Sequence, residues 1–121
     1  MKYLLDTHIF LWCLNGDKRL QAEDEEIIVD KTNFIFVSVV SAWEISIKLK
    51  TDTRFRLRTS IKKAFEISGF EILNISFKHV LCLDRLPMYH KDPFDRMLIA
   101  QAQVENCKLI TVDPKIKKYK N

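Results

Sequence analysis

Glycine and proline are scarce in this 121-residue chain, with 2 Gly and 3 Pro in all. That leaves little room for flexible linkers or low-complexity tracts. It also excludes the glycine-rich phosphate loops of P-loop and dinucleotide-binding proteins, which need several backbone positions free of a Cβ. Cysteine is sparse as well. Cys13, Cys82 and Cys107 are odd in number and far apart, so neither a disulfide framework nor a CxxC metal site is indicated. They read as small hydrophobes in a reducing cytosol. No run of about 18 apolar residues occurs, and the first acid, Asp6, arrives before any signal-peptide apolar region could form. A cytoplasmic protein without membrane association is expected.

What is present is a globular composition. Hydrophobic residues make up 47% and charged residues 30% of the chain, enough apolar surface to offset the entropy of ordering the backbone. The length suits one domain, spanning 1–121, since a second core would have too little sequence. A net charge of +4 favours polyanionic partners. Part of that charge is the tail, Lys115, Lys117, Lys118 and Lys120, which a solvated end would explain equally well. A second basic stretch is more suggestive of nucleic acid: Lys48, Lys50, Arg54, Arg56, Arg58, Lys62 and Lys63.

Four short apolar runs read as buried strands: Tyr3 to Leu5, Phe34 to Val40, Phe70 to Ile75, and Leu109 to Val112. Helical spacing marks the stretches between them, among them Ala42, Ile45 and Leu49, and Met97, Leu98, Ala100 and Gln101. Strands alternating with helices predict an α/β domain, a three-layer α/β/α sandwich around a mostly parallel sheet. The acidic segment Glu23 to Glu26 is expected on the solvated face of a helix.

In open parallel sheets, ligands bind at the carboxyl ends of the strands. The acids collect at such junctions. Asp6 ends the first strand, Glu44 opens the helix after the second, Asp92 and Asp95 open the helix of Met97 to Gln101, and Asp113 ends the last strand. Each is also a plausible helix cap. Ser41-Ala42-Trp43-Glu44 matches a capping box, and Asp92-Pro93-Phe94-Asp95 supplies a cap, an N1 proline and an N3 acid. Capping needs one acceptor per helix, however, and five acids at one rim would repel one another. A divalent cation such as Mg²⁺ or Mn²⁺ resolves that repulsion and suits phosphoryl chemistry. His8, His79 and His90 form no short-spaced pair of the HExxH kind, so zinc is not indicated. His90 is close enough in sequence to Asp92 to touch a substrate phosphate or support the acids. His8 and His79 are expected to pack or hydrogen-bond.

The segments YLLDTHIFLW, SVVSAWEISIK, HKDPFDRMLIAQA and LITVD, in this order and spacing, resemble the PIN domain family and within it the VapC-like toxins. The likeness spans nearly the whole chain, and HKDPFDRMLIAQA is its most specific part. It implies a metal-dependent ribonuclease, the toxin of a type II toxin–antitoxin pair, that hydrolyses RNA with metal-activated water. By the same resemblance Asp6, Glu44, Asp95 and Asp113 are the acidic quartet around one or two Mg²⁺ or Mn²⁺ ions, with Asp6 and Asp95 the firmest ligands. Thr7 and Ser38 match hydroxyl positions that support the rim, Asp92 caps its helix, and Arg96 steers phosphate or pairs with the acids. A homodimer and a cognate antitoxin are implied partners. Ile9, Phe10, Trp12, Trp43 and Ile47 could offer the antitoxin an apolar groove or could simply pack in the core.

Two other readings are open to test. In a phosphoryl-transfer or receiver-type domain, an acid would be wanted two residues after Asp6, where His8 stands, or after a central strand, where Asn74 stands. In a non-catalytic RNA- or protein-binding module, the acids would be caps alone.

Overall fold

Residues 1–119 are described in a computed structural model, so Lys120, the last of the tail lysines, lies outside the described residues. Four strands, β1 (Lys2–Leu5), β2 (Phe34–Ser38), β3 (Glu71–Leu73) and β4 (Lys108–Ile110), pair in parallel in the order β3-β2-β1-β4. Helices α1 (Thr7–Asn15) and α2 (Ala22–Val29) link β1 to β2, and α3 (Val39–Thr51) and α4 (Ile61–Ser68) link β2 to β3. Then α5 (Phe77–Arg85) and α6 (Pro93–Glu105) carry the chain back across to β4, after which comes the short α7 (Pro114–Lys117). The connection direction reverses at β1, whose neighbours are β2 on one side and β4 on the other. A crevice at the carboxyl ends of β1 and β4 follows from that reversal.

The layering is written in two adjacent leucines. Successive strand residues face opposite sides of a sheet, and Leu4 and Leu5 are both fully buried. Leu5 packs with Ile9 and Phe10 of α1, Val37, Ile45 and Phe65. Leu4 packs with Val40, Leu98, Ala102 and Cys107 on the other face. Helices on both faces make the sheet the middle of an α/β/α sandwich, as the alternation of runs predicts. Phe10 adds a tilted ring contact with Phe65, their centroids 4.8 Å apart. Both glycines close helices in left-handed conformation, Gly16 after α1 at φ 60° and Gly69 after α4 at φ 72°, where a Cβ would be strained.

Three expected strands are shorter than their apolar runs. The Leu109 to Val112 run leaves the sheet at Ile110, so Thr111 and Val112 separate Asp113 from the end of the last strand. The Phe34 to Val40 run stops at Ser38 because its hydroxyl accepts from the Val40 amide at 3.0 Å and starts α3 there. The capping box expected at Ser41 to Glu44 therefore does not form, and Glu44 lies in the second turn of the helix rather than at its opening. The Phe70 to Ile75 run keeps only Glu71–Leu73 as strand. It is an edge strand, not one buried on both faces, and Ile72 is 53% exposed. The acids of Glu23 to Glu26 occupy α2, which buries none of its residues.

Candidate active site

Asp6 follows β1 and is 4% exposed. Its amide donates to the Ile110 carbonyl at 3.1 Å, which extends the β1–β4 pairing by one bond and fixes the backbone. Its Oδ1 accepts from the Ile9 amide at 2.8 Å, so Asp6 caps α1. Burial is the largest influence on its acidity and raises the pKa. Hydrogen bonds from the Thr111 side chain and the Ile9 amide oppose that rise, and the negative charge of Glu44 adds to it.

Asp95 sits at the third position of α6, where its amide donates to Oδ1 of the N-cap Asp92 at 3.0 Å. Its pKa is raised to about 6, first by burial and then by the negative charges of Asp92 and Glu44, against a lowering contribution from the His90 hydrogen bond. Glu44 thus acts electrostatically on both Asp6 and Asp95, although α3 brings it from a different part of the chain. Its Oε1 accepts from Thr7 Oγ1 at 2.7 Å, and Thr7 Oγ1 also lies 2.9 Å from Ser41 Oγ. Asp113 caps α7 through Oδ1, which accepts from the Lys115 amide at 2.8 Å.

All four acids, with Asp92, line one cleft of about 510 Å³. The sheet edge, two crossover helices and the β4 exit converge there, as expected for the carboxyl ends of parallel strands. His8, Trp12, Arg19 and Lys48 line the same cleft. Lys48 Nζ approaches Glu44 Oε2 at 3.9 Å, and the Arg19 guanidinium lies over the Trp12 ring at 5.1 Å. The three arginines of the basic stretch, Arg54, Arg56 and Arg58, are exposed in the loop that follows α3.

His90 is the residue that tertiary structure brings in from the side. Its Nε2 stands 2.8 Å from Asp95 Oδ2 and 3.6 Å from Asp113 Oδ2. The imidazole nitrogen and the two carboxylate oxygens lie within 4.8 Å of one another. As a donor set, the four carboxylates with an adjacent imidazole fit a hard divalent cation. Two of the four acids are held above the ordinary carboxylate range by burial and mutual repulsion, the condition a bound cation relieves.

Two expected supporting residues stand elsewhere. Ser38 is fully buried, but its hydroxyl donates to Gln101 Oε1 at 2.6 Å and touches none of the acids. Arg96 does not pair with the acids. Its guanidinium donates to the carbonyls of Leu83, Leu86, Pro87 and His90 and to the Tyr119 hydroxyl, because the α5–α6 loop folds its backbone over that side chain. Of the apolar residues expected either to offer a groove or to pack in the core, Ile9 and Phe10 are core residues, Trp12 is half-buried at the cleft, and Trp43 and Ile47 are exposed. Of the other histidines, His79 is buried, completes a capping box with Ser76 and meets Glu105 at 2.8 Å.

Thr111, Arg19 and Tyr119 carry no reading in the sequence, and Ser41 is read there only as a helix cap. Helical spacing from Glu44 marks Ser41, and proximity to Asp113 marks Thr111. Arg19 and Tyr119 carry no local signal, since loop and chain-end positions show no periodicity.

No curated protein matches the sequence significantly. The crystal structure of VapBC2 from Rickettsia felis bound to a DNA fragment from their promoter is similar in fold, with a TM-score of 0.71 at 20% identity. The alignment covers 98% of this chain and 92% of that one. The family model for the PIN domain matches residues 3–121. With the match covering almost every residue, and the acids gathered at the sheet edge, the chain belongs to the PIN domain family.

Proposed function

We propose that the chain is a divalent-cation-dependent endoribonuclease, a single PIN-type unit over 1–121. The observation that carries this reading is the convergence of Asp6, Glu44, Asp95 and Asp113 on one cleft, with Asp6 and Asp95 held above their usual pKa. Membership of the PIN domain family supports it. Asp6 and Asp95 would hold Mg²⁺ or Mn²⁺ most directly, with Glu44 and Asp113 completing one or two ion positions. When bound, such a cation supplies Lewis acidity toward a phosphodiester and lowers the pKa of coordinated water.

The chain's own residues supply placement. Ile9 and Thr111 restrain the Asp6 carboxylate, and Thr7 holds one oxygen of Glu44. Asp92 caps α6 and so fixes the turn that presents Asp95. Lys48 and Arg19, at the cleft wall, would meet the flanking phosphates of the substrate, and the exposed Arg54, Arg56 and Arg58 extend that basic surface. No side chain is needed as a covalent nucleophile.

RNA as substrate follows from the basic flank beside an acidic centre together with the family. The toxin role and an antitoxin partner rest on the sequence resemblance and on the VapBC complex named above as a fold neighbour. A homodimer and a cytoplasmic location complete the reading. Among the described residues, no helix is long and apolar enough to cross a membrane.

The deciding experiment is digestion of total RNA by purified protein with Mg²⁺ or Mn²⁺, with EDTA, and by Asp95→Asn. Discrete fragments that disappear with EDTA and in the variant are expected. Cleavage that survives both treatments would mean that the acids are not the catalytic centre, and no cleavage with either metal would favour a non-catalytic binding module.

A further inference from the structure

Tyr119 lies after α7, beyond every acid of the cleft, yet its hydroxyl makes three hydrogen bonds to the segment that carries His90. It donates to the Pro87 carbonyl at 2.7 Å and accepts from the His90 amide at 3.0 Å and from Arg96 Nη1 at 3.2 Å. Its ring meets Tyr89 edge-on with centroids 5.1 Å apart. Arg96 grips the same segment from α6 through the Pro87 and His90 carbonyls. The His90 backbone is thus held at its N–H by Tyr119 and at its carbonyl by Arg96. Neither contact involves the imidazole, which is left to face Asp95 and Asp113.

We infer that Tyr119 is a positioning residue that acts through His90 on Asp95 and Asp113. The path closes on itself. Asp113 caps α7, α7 leads to Tyr119, Tyr119 seats His90, and the His90 ring returns to Asp95 and, at 3.6 Å, to Asp113. Asp95 and Asp113 come from different elements, α6 and the start of α7, which are otherwise joined by the Arg96–Tyr119 hydrogen bond and by the packing of α6 against β4 and α7. A ring placed between both carboxylates and seated by its backbone sets their spacing more tightly than those contacts alone, as outer-sphere partners do at metal centres.

The inference rests on the divalent-cation reading, and its test uses cation binding rather than cleavage. Mn²⁺ titrations of the full chain, followed by the electron paramagnetic resonance signal of free Mn²⁺, would be run on wild type, Tyr119→Phe, His90→Ala and the double variant. His90→Ala should weaken binding about tenfold. Tyr119→Phe, which keeps the ring and the Tyr89 contact, should weaken it about threefold in the wild-type background and leave the His90→Ala protein unchanged. The same threefold loss in both backgrounds would show that Tyr119 acts on the fold at large, and no loss in either would show that it does not act on the site; both overturn the inference. A wild type that binds no Mn²⁺ at millimolar concentration would instead remove the cation reading itself. Hydrogen exchange on the wild type needs no variant: the His90 amide should be protected in concert with α6, and exchange at the rate of an open loop would overturn the seating of His90.

Discussion

Thr7 donates from Oγ1 to Glu44 Oε1 at 2.7 Å, a bond that joins the first residue of α1 to the second turn of α3. It ties the helix that Asp6 caps to the helix that carries Glu44. The two acids repel each other, so a neutral hydroxyl between their supports holds the pair where charge alone would part it. Replacing Thr7 with Val keeps the shape and removes the donor. A loss of about 1–2 kcal/mol in urea-unfolding stability is expected, with weaker Mn²⁺ binding. Unchanged values for both would mean that Glu44 is held by other contacts.

The raised acidities set a sign for pH dependence. The pKa of Asp95 stands at about 6 in the folded protein against an ordinary 3.8. The unfolded chain therefore binds its proton less tightly, and the stability gained from protonated Asp95 is full below about pH 4 and lost as pH rises through about 6. Asp6 shares the direction. In EDTA, stability should fall between pH 5 and pH 7, and Asp95→Asn should remove about 1 kcal/mol of that fall. Thermal unfolding of both proteins at the two pH values checks this; a metal-free wild type that gains stability toward pH 7 would contradict the placement of Asp95.

Cation binding should reverse that trend, because it selects the ionised acids. At a free Mn²⁺ concentration about 100 times its dissociation constant, about 2.7 kcal/mol of stabilisation is expected. The rise in thermal midpoint should be larger at pH 7 than at pH 5, and Asp6→Asn should abolish most of it. An equal rise in that variant would place the ion elsewhere.

Lys48 offers a test of the substrate flank that is independent of chemistry. Asp95→Asn protein in EDTA should bind single-stranded RNA without cutting it. Adding Lys48→Ala should weaken binding across sequences and lower the salt slope by about 0.7, the value for one phosphate contact. An unaltered slope would remove Lys48 from the phosphate path.

A second polar chain runs through the protein and should have no part in cation binding. Ser38 donates to Gln101 Oε1, Gln101 Nε2 lies 3.4 Å from the Asn74 carbonyl and from His79 Nδ1, and His79 meets Glu105. Gln101→Leu strands the buried Ser38 hydroxyl and should cost about 2–3 kcal/mol. Mn²⁺ affinity should be unmoved, which separates this structural network from the one around Thr7.

The amino-acid sequence by itself carried the fold class, because continuous apolar runs such as Tyr3 to Leu5 demand burial on two faces and helical runs between them supply the cover. It also carried Asp6 at the end of β1, and Asp6, Asp92 and Asp113 cap helices as their local motifs promise, whereas Glu44 lies a turn inside α3, and Thr111 and Val112 separate Asp113 from the end of β4. Boundaries were less legible. Val39 and Val40 are β-branched and read as strand, yet Ser38 caps the chain into helix ahead of them. Propensity is a weak preference that one hydrogen bond and tertiary burial override.

Tertiary structure alone decided which side chains meet. Thr7 and Glu44 are 37 residues apart, and Tyr119 and the Pro87 carbonyl 32 apart. Ser38 and Arg96 resemble family positions, but the path of the backbone gave their polar atoms to Gln101 and to the carbonyls before α6. A periodic pattern states which face of an element is apolar. It holds no information about which polar atom from a distant segment arrives at hydrogen-bond distance, and that was settled only when the helices closed over the sheet.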